Sequence, residues 1–354
     1  MKREYYLELA AVGLRLPIGI DLVLHQSPDP QRVLRDGALL AEVVASAARR
    51  YASPLAIPLM DLTLEKEDML RLLGTAEAEE AETFHFAEAP DESTLQFLRR
   101  SADAAFGTRG QAHIDSLRHV VTKTNLVPIG MAIGPFSLMT KLMADPITAI
   151  AMAGMGMTSE EDANILLAER CLALAETAIA RSLKAQIKAG AKALMICEPA
   201  ANIVYISPRQ MSSGSDIFER FVMQPNLRIK SQLASADVDL IFHDCGELNG
   251  YMVEQFATRL DPAILSLGSS RTLWEDAALV PKSVVLFGNL PTKKFYSDEA
   301  MPDEQVKAMT LELRDKMRSA GHPHILGSEC DVLHVPEAAA NIRRKVELML
   351  ACGR

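Results

Sequence analysis

The sequence predicts an α/β chain folded as a (β/α)8 TIM barrel with N-terminal additions, and three observations lead there. Eight short apolar runs recur along the chain, separated by stretches whose apolar residues fall at helical spacing. That alternation is the mark of parallel strands joined by crossover helices. No glycine-rich phosphate loop follows any of the runs, which disfavours a doubly wound open sheet. The chain has 354 residues and no linker rich in Pro, Gly or Ser, so residues 1–354 read as one domain; barrels of this kind commonly occupy about 250 residues or more.

Taken in order, the expected strands are residues 17–23, 55–61, 126–133, 193–199, 240–243, 264–267, 284–289 and 324–327. Between them, helix is expected over 35–50, from Glu67, over the Ala- and Met-rich 139–157, and from a cap at Ser159 to Gly190, with Glu160 and Glu161 in the first turn. The acidic stretch from Glu77 to Glu92 reads as solvated surface, and Glu65 and Glu67 as solvated helix positions.

Composition narrows the function classes. The core is aliphatic, with 49% hydrophobic residues but only 5% aromatics. The net charge is −9 and the basic residues form only short pairs or triples, such as Arg343-Arg344-Lys345, which argues against nucleic acid as a partner. No apolar run reaches the roughly 18 residues of a spanning helix, and Met1-Lys2-Arg3-Glu4 is no signal peptide. A cytoplasmic protein without a membrane partner is therefore expected. Five scattered cysteines fit reduced thiols, not a disulfide frame.

The chemistry concentrates at strand ends. In the run 238–247, Leu240-Ile241-Phe242 leads into His243-Asp244-Cys245-Gly246. His243 and Cys245 are two apart, so on extended chain their side chains leave on one side. Cys330 follows 87 residues after His243, beyond another short strand. Imidazole and two thiolates form a zinc ligand set with a fourth place open. Two thiolates already donate charge to the metal, so the set suits activation of another thiol better than production of hydroxide, and alkylation at sulfur is the natural reaction. A lone His-x-Cys carries little information; Cys330 at a second strand end is what gives the pattern weight. Cys197 reads as buried in the fourth strand, and Cys171, inside a helix, and Cys352, near the end, as structural or exposed.

Several stretches resemble the uroporphyrinogen decarboxylase superfamily, over roughly residues 4–349: Ala189-Gly190-Ala191 leading to Ile196-Cys197-Glu198-Pro199, Ile206-Ser207-Pro208, His243-Asp244-Cys245-Gly246, Gly288-Asn289-Leu290, and Cys330-Asp331-Val332 with Pro336 and Asn341. Within it, His-x-Cys-Gly plus the late Cys looks like the zinc branch, the methylcobamide:thiol methyltransferases, the coenzyme M enzymes among them. The resemblance implies a (β/α)8 barrel, zinc (Zn2+) held by His243, Cys245 and Cys330, and a methylcobamide (cobalamin) donor carried on a partner corrinoid protein. It further implies a small-molecule thiol as acceptor. The chain departs from the pattern at Glu329, where the family commonly has Gly before the last Cys. The Arg-rich substrate signature of the decarboxylase branch is reduced to Arg15 between Leu14 and Gln26.

Other strand-end residues complete the expected site. Glu198 is a candidate catalytic residue as metal ligand, as proton acceptor for the thiol, or as a cap for the next loop. Asp61 and Asn289 are expected to line the mouth, Asp244 to face away from the metal and act behind it, and His25 to lie at the rim or on the surface. The rival readings are a zinc methyltransferase using a folate and homocysteine, a metal-free porphyrinogen decarboxylase, and a non-catalytic zinc or thiol sensor with a closed four-ligand site.

Overall fold

The computed structural model describes residues 3–76 and 80–353. Met1, Lys2 and the start of the acidic stretch at Glu77 lie outside the described residues; from Glu80 to Glu92 the carboxylates are exposed, as expected.

Eight parallel strands form the sheet: β1 Arg15–Ile18, β2 Leu55–Ala56, β3 Val127–Ile133, β4 Ala193–Cys197, β5 Asp239–Asp244, β6 Ile264–Leu267, β7 Val285–Leu290 and β8 His324–Asp331. Their spatial order is β1-β8-β7-β6-β5-β4-β3-β2, with every neighbouring pair parallel, so the sheet curls into a (β/α)8 barrel whose seam lies between β1 and β2. The strands read as nearly unbroken apolar runs because helices cover one face and the barrel interior the other. The N-terminal addition is the helix Arg3–Ala11. Buried Tyr6 donates from its hydroxyl to Asp239 at the start of β5 (2.8 Å), and Arg3 pairs with Asp261 just before β6 (2.7 Å). This helix therefore packs against the N-terminal ends of the strands and leaves the C-terminal ends as the face for chemistry.

The structure corrects several expected boundaries. The first strand is Arg15–Ile18, and Asp21–Leu24 is a turn of helix instead of strand. Gly19 breaks the run at φ +79°, and a Cβ there would stand 1.9 Å from the Asp331 carboxylate. The second strand pairs only over Leu55–Ala56, shortly before Pro58. The 139–157 helix is two helices, Pro135–Lys141 and Pro146–Gly154; the second starts where Asp145 accepts from Thr148 N (3.0 Å) ahead of Pro146. The long helix is Ala163–Ala189, capped by Asp162 and not by Ser159; Glu161 instead accepts from Thr158 N (2.9 Å).

Glu65 and Glu67 are also not solvated. Glu67 pairs with Arg109 (2.7 Å), while Glu65 is 4% exposed and accepts one hydrogen bond from Ser182 on the long helix (2.8 Å). Its second oxygen is buried without a partner, and burial lifts the carboxyl from its ordinary 4.5 to about 7. The folded group holds its proton to about pH 7 and the unfolded one releases it near 4.5. Between these values the folded state binds more protons, so stability falls as the pH rises through this window. Glu65→Gln should flatten that dependence and, at pH 8, stabilise the protein by about 1–3 kcal/mol. Urea unfolding at pH 5 and pH 8 measures it; an unchanged pH dependence would refute the assignment.

Candidate metal centre

The site begins with β5. Its apolar residues bury the strand, and its C-terminal end delivers His243 and then Cys245. β8 runs to Asp331, so Cys330 belongs to the strand itself and does not follow it, as the shorter expected strand implied. The curl of the sheet brings these residues together across the barrel. The ligand atoms of His243, Cys245 and Cys330 all lie within 4.8 Å of one another, and no other such group of His, Cys, Asp or Glu occurs among the described residues.

The environment of each donor fits a metal ion. His243 is 1% exposed. Strand register sets it directly beside Ser266 on β6, whose Oγ lies 2.8 Å from Nδ1. In the tautomer with Nδ1–H donating to Ser266, Nε2 presents its lone pair, and Nε2 is buried without any hydrogen-bond partner. A buried nitrogen left in that state costs about 1–3 kcal/mol; a metal ion relieves it. The thiols tell the same story. Hydrogen bonding to Cys245 holds the Cys330 thiol well below the ordinary thiol range, helped by His243 and Lys293, while the same bond pushes Cys245 far up. A divalent cation held between them would favour the thiolate form of both. These three residues could hold a metal, and one nitrogen with two sulfurs is a donor set compatible with zinc.

The remaining expected residues surround this centre. Asp244 is fully buried; its Oδ1 accepts from Gly246 N (2.8 Å), shaping the turn that carries Cys245, and burial holds its carboxyl well above the usual range. Glu198 is fully buried and is not part of the ligand cluster. Its Oε1 accepts from Phe136 N (3.0 Å) and Asn226 Nδ2 (2.9 Å), and its Oε2 from Ser137 N (2.8 Å). It thereby caps the helix Pro135–Lys141, while its own N–H donates to the His243 carbonyl (2.9 Å). Asn289 donates to the carbonyls of Gly268 and Arg271 (2.8 Å each). Gly268 in turn presses on the Cys245 backbone, where a Cβ would stand 2.6 Å from the carbonyl oxygen. Asn289 thus braces Cys245 through a glycine that no other residue can replace without displacement. Asp61 accepts from the Thr63 hydroxyl (2.7 Å) and pairs with Arg109. His25 is exposed, stacked on His334 with ring centroids 4.4 Å apart, and its Nδ1 lies 3.1 Å from Asp21. All five cysteines are free; Cys197 is buried as expected, and of the two open readings of Cys171 the structure shows the buried one.

Sequence reasoning missed Ser266, Lys293 and the fixed position of Glu329. The one available signal was a Ser inside the apolar run 264–267. Ser266→Ala should leave the fold intact and weaken metal binding about 10–100-fold, the usual effect of removing a partner that orients a ligating His. Competition against a chromophoric chelator measures it, and unchanged affinity would show that the hydroxyl does not orient His243.

Comparison with known proteins places this geometry in context. No curated protein matches the sequence. Among solved structures, a methyltransferase from Methanosarcina mazei is similar over 99% of this chain and 98% of its own, with a TM-score of 0.65 and 16% identity, a likeness of fold. A 3-keto-D-glucoside 4-epimerase from E. coli aligns over 76% of this chain and 98% of its own, with a TM-score of 0.41 and 14% identity. The family model for uroporphyrinogen decarboxylase (URO-D) matches residues 26–349, nearly the whole chain. The chain belongs to the uroporphyrinogen decarboxylase family.

Proposed function

We propose that the protein is a zinc-dependent methyltransferase that moves a methyl group from a methylated corrinoid, carried by a partner protein in the cytoplasm, to a small thiol. The observation that carries this reading is the buried, unpartnered Nε2 of His243 within 4.8 Å of the Cys245 and Cys330 sulfurs. When bound, zinc supplies a Lewis acid that lets an added thiol ionise at neutral pH while its sulfur stays nucleophilic.

The chain's own residues supply the rest. His243, Cys245 and Cys330 are the holding groups, Ser266 orients the imidazole, and Asn289 with Gly268 fixes the Cys245 peptide. Three protein donors leave room for one more sulfur. The corrinoid carrier would dock over the C-terminal ends of the strands, where these donors lie. In the transfer, an electron pair on the thiol sulfur forms the new S–CH3 bond, the Co–C pair stays on the carrier's cobalt, and the thiol proton leaves to solvent. Proximity and an activated nucleophile are the catalytic contributions. A metal-free decarboxylase reading leaves the orphaned His243 nitrogen and the paired thiols without a task.

Among the described residues, no helix is long and apolar enough to cross a membrane. Metal analysis of protein prepared without chelators should find about one zinc per chain in the wild type and a small fraction of that in Cys330→Ala. The zinc-loaded wild type should demethylate methylcobalamin only when a thiol is added, and Cys330→Ala should be inactive. Metal-free wild-type protein, or demethylation independent of thiol, would overturn the reading.

A further inference from the structure

The helices outside the barrel leave a groove that the metal centre does not use. Its floor is the helix Ala163–Ala189, which precedes β4, and its walls are the ends of the helices Glu92–Arg100 and Gln224–Ser235. Its volume is about 580 Å³, within the range of small-molecule sites, about 300–1,000 Å³. No residue of the His243, Cys245 and Cys330 cluster lines it.

The groove exists because the long helix turns small residues outward. Ala173, Thr177 and Ala180 recur at intervals of four and three, so they share one face, and none is fully buried. Longer side chains there would fill the space between the flanking helices. From Ala173 to Lys184 the floor extends about 16 Å along the helix axis. Apolar residues flank it, Leu98 and Ala102 on one side, Pro225 and Ile229 on the other. Gln232, a polar residue of the second wall, is occupied in donating to the Ala180 carbonyl (3.2 Å).

The rim is basic. Arg99, Arg181, Lys184 and Arg228 line the groove against one acid, Glu176, in a chain whose net charge is −9. Arg181 is turned inward and spent on buried Asp68. The other three stand in water, with side chains 58–60% exposed, each beside a single carboxylate: Arg99 by Glu92 (3.8 Å), Lys184 by Asp103 (2.9 Å) and Arg228 by Glu176 (2.7 Å). Ion pairs this exposed contribute little, so these cations are free to turn to an anion lying over the apolar floor.

We propose that the groove binds a single-chain amphiphile with an anionic head, a medium-chain carboxylate in the simplest case. Its chain lies along Ala173, Thr177 and Ala180, and its head is held by the rim cations. The acidic chain as a whole is repelled by an anionic bilayer, so the ligand is taken from solution as a single molecule.

Isothermal titration calorimetry of the full chain tests this with dodecanoate and dodecyltrimethylammonium, which share a chain and differ in head charge, both below their micelle concentrations. Dodecanoate should bind at one site per chain, and dodecyltrimethylammonium about tenfold or more weakly. Ala180→Phe, which fills the floor, should abolish dodecanoate binding while the thermal midpoint stays at the wild-type value. The double variant Lys184→Gln/Arg228→Gln should weaken dodecanoate about tenfold or more and narrow the difference between the two probes. No dodecanoate binding, equal affinity for the two heads, or binding unchanged in Ala180→Phe or in the double variant would overturn the inference. So would binding to phosphatidylglycerol vesicles without binding of free dodecanoate, which would make the groove a membrane contact.

Discussion

A buried imidazole needs a partner for each of its nitrogens, and His243 has a protein partner for only one. That constraint organises the rest of the centre. Leaving Nε2 dry and unbonded is costly, yet the surroundings hold it there. Ser266 pins the ring from one side, strand register fixes the backbone on both, and the two sulfurs stand close on the open side.

The supporting residues make sense as a frame around that nitrogen. Glu198 spreads its carboxylate over the start of the helix Pro135–Lys141 and anchors the His243 carbonyl through its own N–H. Asn289 holds the turn containing Gly268, and Gly268 backs Cys245. Glu329, within β8, joins the loops after β6 and β7 beside Cys330. Each is a buried polar group with at least one hydrogen bond to backbone, so each ties local chain geometry to the position of the cluster. Meanwhile the N-terminal helix covers the opposite end of the strands, which leaves the chemistry facing one way.

Much of this was legible in the residues. The runs behind β3 to β8 stand out because strands buried on both faces are apolar throughout, and 264–267 coincides with β6. The cluster of His243, Cys245 and Cys330 was recognisable because few residue types bind a soft metal and all three lie at strand ends. What was hidden depends on contacts between distant segments. Glu65 looks like any helix acid until the long helix Ala163–Ala189 lies over it. Ser266 gains meaning only from the β5–β6 register, and Lys293 only from Glu329. Cap choice also escaped: Ser159 and Asp162 are both good N-cap residues, and the Glu161–Thr158 turn decides for Asp162. Strands β1 and β2 were misjudged because Gly19 and Pro58 lie within their apolar runs.

The most direct measurement is zinc K-edge X-ray absorption of the purified protein, before and after adding a small thiol. The account predicts about two sulfurs near 2.3 Å with nitrogen or oxygen neighbours near 2.0–2.1 Å, and about one further sulfur when thiol is present. A shell without sulfur, or one whose sulfur count does not rise with thiol, would contradict it.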